Sequence, residues 1–342
     1  MADRKNVTLR EVADKSGVSI ATVSRVLNET GNVHPDISET VRAAVKELRY
    51  YQNFTARSLK TNSTNMIALV TADISNPYMI NVAKAIEDVI HEEKYNLLVC
   101  STKGDPEREL EHLDMQMSRN VDGFVINTTG KNGELIERIS NRIPVVLIHR
   151  RCDAADFTGD FIDSDNEEGV YGLTKHLISF GHRRIFIIKG TKHVSTSTYR
   201  FNGFKKAMNE IGIKVDDSYP FQFDGDFSEE SGYKAVEYLY TLPVRPTAIL
   251  GFNNTLTIGA LRGLLAFRIA VPEQMSVVCY NNIDNKELMT IRPTVHEIDP
   301  VKIGLMAGKA LLERLADNSL PNRDLILGGR MIAGNTVSIP ID

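Results

Sequence analysis

Cysteine is scarce in this chain: its 342 residues include three, Cys100, Cys152 and Cys279, which are far apart and form no CxxC pair. An odd number of isolated cysteines argues against a disulfide framework or a zinc site and favours a reducing compartment. Long apolar runs are also lacking, since no window approaches the roughly 20 apolar residues of a membrane-spanning helix and the N-terminus has no apolar signal-peptide core. We therefore expect a cytoplasmic protein that does not contact a membrane.

The sequence motifs of several common enzyme classes are absent. The chain has no GxxxxGK phosphate loop, no GxGxxG dinucleotide motif, no HExxH motif and no GxSxG nucleophile elbow. These patterns serve phosphate, dinucleotide, zinc and acyl-transfer chemistry, and their absence argues against enzymes of those classes. His182, in GHRRI, has helix-to-strand surroundings and is interpreted as structural. We expect no catalytic residue, no metal and no cofactor.

The composition is that of a globular protein, with 42% hydrophobic and 25% charged residues, so extended disorder is not expected. The chain is too long for one small core, which predicts two or three compact units. The net charge of −4 hides an asymmetry, because residues 1–61 carry ten Lys/Arg against seven Asp/Glu and leave −7 for the remainder. Only the front of the chain is suited to a polyanionic partner.

The first 50 residues predict three short helices. Thr8 lies at an N-cap position with Glu11 three residues later, the capping-box arrangement, and Gly17 ends this first helix. Ser19 can cap a second helix, whose expected buried face is Ala21, Val23, Val26 and part of Leu27. A third helix is expected over about 36–49, with Ile37, Val41, Ala44, Val45 and Leu48 inward. Such helices with a tight turn after the first form a helix-turn-helix domain.

Beyond residue 65 the apolar pattern changes. Short apolar runs alternate with helix-length amphipathic stretches: MIALVT, NLLVC, GFVINT, PVVLIH and, after residue 182, RIFIIKG, AILGFN and SVVCYN. This is the βαβ rhythm of parallel sheets buried on both faces. Two doubly wound halves are predicted, with a ligand in the crevice at the carboxyl ends of their strands. The polar linker before them contains a short predicted helix, 53–60, which is too short to persist alone in water.

Six motifs occur in order along the chain: TLREVADKSGVSIATVSRVLN, NFTARSLK, ISNPY, VDGFVI, GHRRI and YRFNGF. In these six motifs and their order, the chain resembles the LacI/GalR family of bacterial transcription regulators. The resemblance implies an α/β protein with an all-α helix-turn-helix domain at 1–50, a hinge with a short helix at 51–64 and a periplasmic-binding-protein-like effector domain at 65–342. Its two Rossmann-like subdomains, joined by three crossing segments, would comprise about 65–163 with 294–325, and about 164–293 with 326–342.

The resemblance further implies a sequence-specific DNA-binding regulator. We expect a homodimeric repressor of a carbohydrate-utilisation operon that binds a palindromic operator in double-stranded DNA and is modulated by a small effector in the crevice. Induction is favoured over corepression. The alternative is a corepressor-dependent or partner-protein-dependent global catabolite regulator of the same family. A solute-binding protein is disfavoured by residues 1–61 and by the absence of a signal peptide.

In the DNA-reading helix, Ile20 and Ala21 occupy the positions that mainly set specificity in the family. Both are apolar, so they can contact a thymine methyl group but cannot make bidentate hydrogen bonds to a base. The alternative for Ile20 is a half-buried packing residue. Arg25 is then the expected base reader, with guanine as its target. The other expected DNA contacts of this domain are Thr8, Ser19, Thr22, Ser24 and Asn28.

In the hinge, Leu59 matches the family leucine that enters a central minor-groove base step and kinks the DNA, while two hinge helices pack on each other. Asn53, Ala56 and Lys60 are expected in the same DNA-contacting segment, Ala56 being small enough for close approach. The chain departs from the family at Gln52, where proline is common, so the start of the hinge is less rigid. The alternative for Leu59 is docking on its own domain.

Effector contacts are expected at strand ends of both subdomains: Ser75, Asn76, Tyr78, Arg150, Thr196, Arg200, Phe227, Asn254 and Asn282. Arg200 is favoured because a guanidinium fork can hold two oxygens at once, and its alternative role is an interdomain salt bridge. Tyr78 and Phe227 are candidates either for stacking on a ligand ring or for completing the core.

Two departures from sugar-responsive family members concern the charge of the crevice. Those members commonly carry ND and DD where this chain has Asn253-Asn254 and Asn281-Asn282. A carboxylate in a closed cleft repels an anionic ligand, whereas an amide does not. The arginines are kept, and Lys103, His149 and His193 are further candidates for reaching the crevice. This combination predicts an effector with a carboxylate or phosphate, such as a sugar acid or sugar phosphate.

Overall fold

The computed structural model describes residues 7–28, 30–51 and 63–341. The chain divides into two compact units, Met1–Thr64 and Asn65–Asp342. This division coincides with the predicted start of the effector domain at residue 65. Within the described ranges, none of the helices has both the length and the apolar character needed to cross a bilayer.

In its described residues the first unit has three helices, α1 (Leu9–Ser16), α2 (Ile20–Leu27) and α3 (Pro35–Leu48). The predicted capping box is present, because Thr8 and Glu11 bond each other's backbone N–H groups, and Gly17 ends α1 with φ +68°. Ser19 caps α2 as expected. The core of this unit is small: the buried apolar residues are Val12, Ala13, Val23, Val26, Val41 and Ala44.

Two residues that were expected to be buried in this unit are exposed. Ala21 lies on the solvent side of α2, because it shares a helix face with Arg25, four residues later, while Val23 and Val26 face the core. Ile37 is 37% exposed, since the buried positions of α3 begin one turn later, at Val41. The start of α2 therefore presents more apolar surface than the sequence analysis predicted.

The second unit contains two six-stranded sheets. The first has the order β11-β5-β4-β3-β1-β2 and is parallel throughout. Its strands are β1 (Met66–Thr71), β2 (Asn96–Ser101), β3 (Gly123–Ile126), β4 (Val145–Ile148), β5 (Asp160–Ser164) and β11 (Arg323–Leu327). The accompanying helices are α4 (Pro77–Glu92), α5 (Pro106–Ser118), α6 (Gly133–Ser140) and α11 (Pro300–Ala316). Strands β3, β4 and β5 are buried along their whole length, as expected where helices cover both faces.

The second sheet has the order β12-β10-β9-β8-β6-β7, and β12 alone runs antiparallel to its neighbour. Its strands are β6 (Ile185–Lys189), β7 (Gln222–Asp224), β8 (Ala248–Gly251), β9 (Ser276–Tyr280), β10 (Thr294–Glu297) and β12 (Arg330–Ile332). The helices of this half are α7 (Asn166–Ser179), α8 (Ser195–Asn209), α9 (Glu229–Thr241) and α10 (Asn254–Ala266), with a 3₁₀ turn at Lys286–Leu288. Both halves are doubly wound, as the strand pattern predicted.

The strand pairing corrects two predicted subdomain boundaries. Residues 294–297 were assigned to the N-subdomain, but β10 pairs with β9 through Val295 and Cys279 and belongs to the second sheet. Strand β11 stays in the first sheet as far as Leu327, beyond the expected limit of 325. The chain thus crosses between the halves after β5, between β10 and α11, and between β11 and β12. A four-residue strand does not reveal its partner, because pairing is decided by tertiary packing rather than by the strand's own pattern.

Candidate DNA interface and effector crevice

One side of α2 presents the residues predicted to read DNA. Ile20 is 46% exposed, and Ala21 and Arg25 are exposed on the same side of the helix. An apolar pair followed by a guanidinium one turn later is suited to a thymine methyl group and a guanine edge.

The polar residues around α2 also bond one another. Ser19 Oγ accepts the Thr22 N–H at 3.1 Å and lies 2.9 Å from Thr22 Oγ1, and Asn28 Nδ2 donates to Ser24 Oγ at 3.1 Å. Thr8 Oγ1 donates to Glu11 Oε2 at 2.9 Å. The Thr8 and Ser19 bonds cap the starts of α1 and α2, and the Asn28–Ser24 bond lies at the end of α2. The predicted hinge contacts Asn53, Ala56, Leu59 and Lys60, and the departure at Gln52, lie outside the described residues.

In the second unit, two guanidinium groups from different halves face one aromatic ring. Arg150 follows β4 of the first sheet, and Arg200 lies on α8 beside the second sheet. Their Cζ atoms are 5.1 and 6.0 Å from the centroid of the Phe227 ring. Arg200 Cζ also lies 4.0 Å from the centroid of the Tyr280 ring. The structure therefore brings together three of the predicted effector residues.

Protein oxygens hold both guanidinium groups. Arg200 donates to Asn166 Oδ1 at 2.7 Å and to the Phe252 carbonyl at 2.5 Å. Arg150 donates to the Thr128 carbonyl at 3.4 Å. Burial, and then the charge of Arg200, lower the pKa of Arg150 to about 10, so it remains a cation at neutral pH. In the described part of the chain neither arginine forms an ion pair with a carboxylate, and the interdomain salt bridge considered for Arg200 is not formed.

A second polar group lies at the ends of β4 and β5. The buried Asp163 carboxylate accepts hydrogen bonds from the Ser164 N–H at 2.7 Å and from Asn166 Nδ2 at 2.6 Å. His149 Nδ1 lies 3.4 Å from Asp163 Oδ1, and its ring packs against Tyr78 at 5.3 Å. Burial raises the pKa of Tyr78, so its hydroxyl stays protonated at neutral pH.

Sequence reasoning missed Asp163 and Tyr280. Burial raises the pKa of Tyr280 to about 12, and its hydroxyl lies 2.9 Å from Ser164 Oγ. Tyr280 ends a strand that was predicted, immediately before the Asn281-Asn282 pair, so its position offered a usable signal. Asp163 lies on β5, which was not among the predicted strands.

The remaining predicted effector residues divide into two groups. Asn76 and Asn254 bond each other, and Thr196 is buried on the first turn of α8. Other side chains turn to different partners: Ser75 Oγ donates to Asp73 at 2.7 Å, and Asn282 Oδ1 accepts from Lys286, which also pairs with Glu297. Of the further candidates, His149 is buried, whereas Lys103 and His193 are exposed.

Several buried polar atoms near these strand ends have no hydrogen-bond partner among the described residues: Thr71 Oγ1, Asn127 Oδ1, His149 Nε2, Ser197 Oγ and His296 Nε2. Thr71 ends β1, and Asn127 and His149 follow β3 and β4. Buried polar groups are normally hydrogen-bonded, and leaving them unpaired is costly. Their concentration at the carboxyl ends of parallel strands is typical of a site that a polar ligand or ordered water completes.

Two other features are not suited to an effector site. A cavity of about 180 Å³ lies beneath the connection from β4 to β5, but its polar lining is already paired: Arg151 with Asp324 at 2.6 Å, and Asn322 with the Phe157 carbonyl at 2.7 Å. His182 is fully surrounded, with Thr247 Oγ1 at 2.8 Å and Ser276 Oγ at 3.0 Å. It therefore has the structural environment that the sequence predicted.

Comparison with known proteins relates both units to one family. Residues 64–324 match the family described as "Periplasmic binding proteins and sugar binding domain of LacI family", and residues 8–53 match "Bacterial regulatory proteins, lacI family". The chain is 33% identical over 310 residues to the "HTH-type transcriptional repressor PurR" of Haemophilus influenzae (strain PittEE), covering 90% of this chain and 91% of the relative.

Solved structures share the fold. A lac repressor dimer bound to operator and the anti-inducer ONPF has a TM-score of 0.82 and 22% identity, covering 98% of this chain and 100% of that one. A LacI family regulator from Enterococcus faecium with bound ribose has a TM-score of 0.71 and 23% identity, covering 80% and 99%. The family matches span both units and the curated relatives are repressors rather than enzymes. The chain therefore belongs to the LacI family and is a DNA-binding transcriptional repressor.

Proposed function

We propose that the repressor binds a palindromic operator as a homodimer in the bacterial cytoplasm and controls a carbohydrate-utilisation operon. Its affinity for the operator is set by an anionic sugar derivative, a sugar acid or sugar phosphate, in the crevice between the two sheets. Support for a sugar-shaped ligand comes from the family description, which includes a sugar-binding domain, and from the Enterococcus faecium regulator with bound ribose.

At the DNA, Ile20 and Ala21 contact thymine methyl groups, and Arg25 reads a guanine. Their exposure on one side of α2 supports this assignment. The remaining predicted contacts of this domain reach the DNA phosphates: Thr8, Ser19, Thr22, Ser24 and Asn28. In the hinge, Leu59 enters the minor groove, supported by Asn53, Ala56 and Lys60.

One observation carries the proposal of an anionic effector: Arg150 and Arg200 face the same ring and neither has a carboxylate partner in the described residues. A buried guanidinium binds an anion with charge-assisted, bidentate hydrogen bonds, and two of them can divide the oxygens of one phosphate or carboxylate. Phe227, whose ring both guanidinium groups face, offers an apolar surface for the sugar ring. Tyr78, Thr196, Asn76, Asn254, Ser75 and Asn282 are the further predicted contacts, of which the last two have other partners in this structure.

Matched ligand pairs test this proposal. Calorimetry would compare glucose with glucose 6-phosphate and gluconate, and ribose with ribose 5-phosphate. We expect the charged member of a pair to bind at least tenfold more tightly than the neutral one. Replacing Arg150 or Arg200 with Gln should weaken binding of the charged ligand much more than binding of the neutral sugar, so that the preference is lost. Tight binding of a neutral sugar alone, unaffected by either substitution, would contradict an anionic effector.

A further inference from the structure

Two asparagine side chains join the halves of the second unit. Asn76 Nδ2 donates to Asn254 Oδ1 at 3.2 Å, and Asn254 Nδ2 donates to Asn76 Oδ1 at 2.9 Å. Asn76 is the N-cap of α4, which accompanies the first sheet, and Asn254 is the first residue of α10, which accompanies the second. This reciprocal pair, called the amide clasp below, spans the crevice.

The clasp requires an amide on both sides. Each side chain gives one donor and one acceptor to the pair, and a carboxylate has no donor to give. Asn76 Oδ1 also accepts the Tyr78 N–H at 3.1 Å, which fixes the orientation of this amide group. Asn254 is only 4% exposed. If the pair broke while the crevice stayed closed, buried amide groups would be left unpaired, which is costly.

The clasp adjoins the groups that face each other across the crevice, since Asn254 comes two residues after Phe252, whose carbonyl accepts a hydrogen bond from Arg200. Arg150 comes from the first half, whereas Arg200 and Phe227 come from the second. A second bond also crosses between the halves, from the Arg151 N–H to Ser195 Oγ at 3.0 Å. Separation of the halves would break this bond, so the Arg151 amide reports directly on closure.

We propose that the amide clasp holds the two halves in the closed arrangement and thereby positions Arg150 opposite Arg200. Asn76 and Asn254 are then positioning residues that act through each other. In the ligand-free protein the Asn254 amide is hydrogen-bonded to Asn76 and not to a ligand. This role does not depend on which effector binds, so it is testable on the ligand-free protein and stands or falls separately from the anionic effector.

Two substitutions break the clasp while preserving the helices that carry it. Asn76→Ser keeps a good N-cap for α4 but is too short to reach Asn254. Asn254→Ala places a good helix former at the start of α10. A matched control is Asn335→Ala. The Asn335 side-chain amide also makes two hydrogen bonds, accepting from the Arg292 N–H at 2.7 Å and donating to the Thr290 carbonyl at 2.8 Å, but both lie within one half.

Hydrogen–deuterium exchange of the full-length, ligand-free protein provides the measurement. In both clasp variants the peptide containing the Arg151 amide should exchange about tenfold faster, as expected for the loss of one to two net hydrogen bonds. The Arg151 peptide of the double variant should exchange at the same rate as in the single variants, because either substitution alone already removes the whole pair. Strand β1 should exchange as in the parent protein, and Asn335→Ala should leave the Arg151 peptide unchanged.

Other outcomes would overturn the proposal. If the clasp variants lower the unfolding temperature but leave exchange at Arg151 unchanged, the two amides only stabilise the fold. If the double variant exchanges faster than either single variant, Asn76 and Asn254 act separately. Should Asn254→Ala fail to fold, Asn76→Ser decides the question by the same readout, since it retains the helix cap.

Discussion

Ile20, Ala21 and Arg25 are the residues proposed to read DNA from α2. An isoleucine and an alanine make no hydrogen bonds to base edges, so direct discrimination between bases through hydrogen bonds falls to Arg25 in this helix. Arg25 is exposed, and its removal should therefore cost the fold little.

Substitution of Arg25 tests this role. Arg25→Ala should weaken binding to an operator selected by the protein itself by about 1–3 kcal/mol and relax the preference at one base pair. Arg25→Lys keeps the positive charge but loses the fork that grips guanine O6 and N7. The lysine variant should therefore retain non-specific affinity and lose the base preference.

Fluorescence anisotropy at fixed salt, on the selected operator and on a single-base variant, separates these effects. If Arg25→Lys discriminates the two DNAs as well as the parent does, Arg25 contacts a phosphate rather than a base. Thermal unfolding should be the same for all three proteins.

Local residue patterns were predictable, whereas long-range pairs were not. The Thr8–Glu11 capping box involves residues three positions apart, and the sequence alone identified it. Asn76 and Asn254 were each predicted as effector contacts, but their bond joins residues 178 positions apart. Nothing in either segment indicates the other, because the contact depends on how two sheets approach each other.

Glycine allows close contact between helices in the second unit. A Cβ on Gly259 of α10 would lie 1.9 Å from the Glu229 carbonyl oxygen at the start of α9. Likewise, a Cβ added to Gly232 of α9 would lie 2.1 Å from the Leu256 carbonyl oxygen of α10. These helices therefore pack backbone to backbone, and a side chain at either position would force them apart.

The pair Gly259→Ala and Gly172→Ala tests this contact. Gly172 lies on α7, and its Cβ would meet no atom within 4 Å. Alanine there should raise the free energy of unfolding by up to about 1 kcal/mol, because alanine favours the helix. Gly259→Ala should lower it by about 1–3 kcal/mol through overpacking. Urea unfolding followed by circular dichroism gives both values, and equal effects of the two substitutions would contradict the proposed close packing.

The fold class was predictable from the strand rhythm, but not every strand was. The run DFIDS of β5 is buried throughout yet contains two aspartates, so it lacks a continuous apolar run. Asp160 is tolerated because Arg314 and Arg323 bond its carboxylate at 2.8 and 2.7 Å. Although burial alone raises the pKa of Asp160, these hydrogen bonds hold it below its usual range. The compensating arginines come from the far end of the chain, which a local pattern cannot reveal.

At the scale of the whole molecule, the charge is divided between the two functions. Residues 1–61 carry an excess of basic residues, whereas the remainder carries a net charge of −7. The basic end suits the phosphate backbone of DNA, whereas Arg150 and Arg200 lie in the acidic remainder of the chain. Regulation then requires that ligand binding in the second unit change the affinity of the first for DNA.

Thermodynamic linkage makes that requirement measurable. If an effector changes the operator affinity by some factor, the operator must change the effector affinity by the same factor, typically about 5–150-fold. We expect a fall in operator affinity with the ligand bound, as for an inducer, and an equal fall in ligand affinity on the operator complex. Anisotropy titrations of operator with and without ligand, and calorimetry with and without operator, give the two factors independently.

The sign and size of this factor decide the mode of regulation. A rise in operator affinity would identify a corepressor, since only a ligand that prefers the DNA-binding state can produce it. A ligand that binds tightly but leaves operator affinity unchanged would have equal affinity for both states, and the crevice would then not regulate DNA binding through that ligand. The Arg25→Lys variant provides the control: it weakens specific binding at the DNA, yet it should leave the affinity of the free protein for the ligand unchanged.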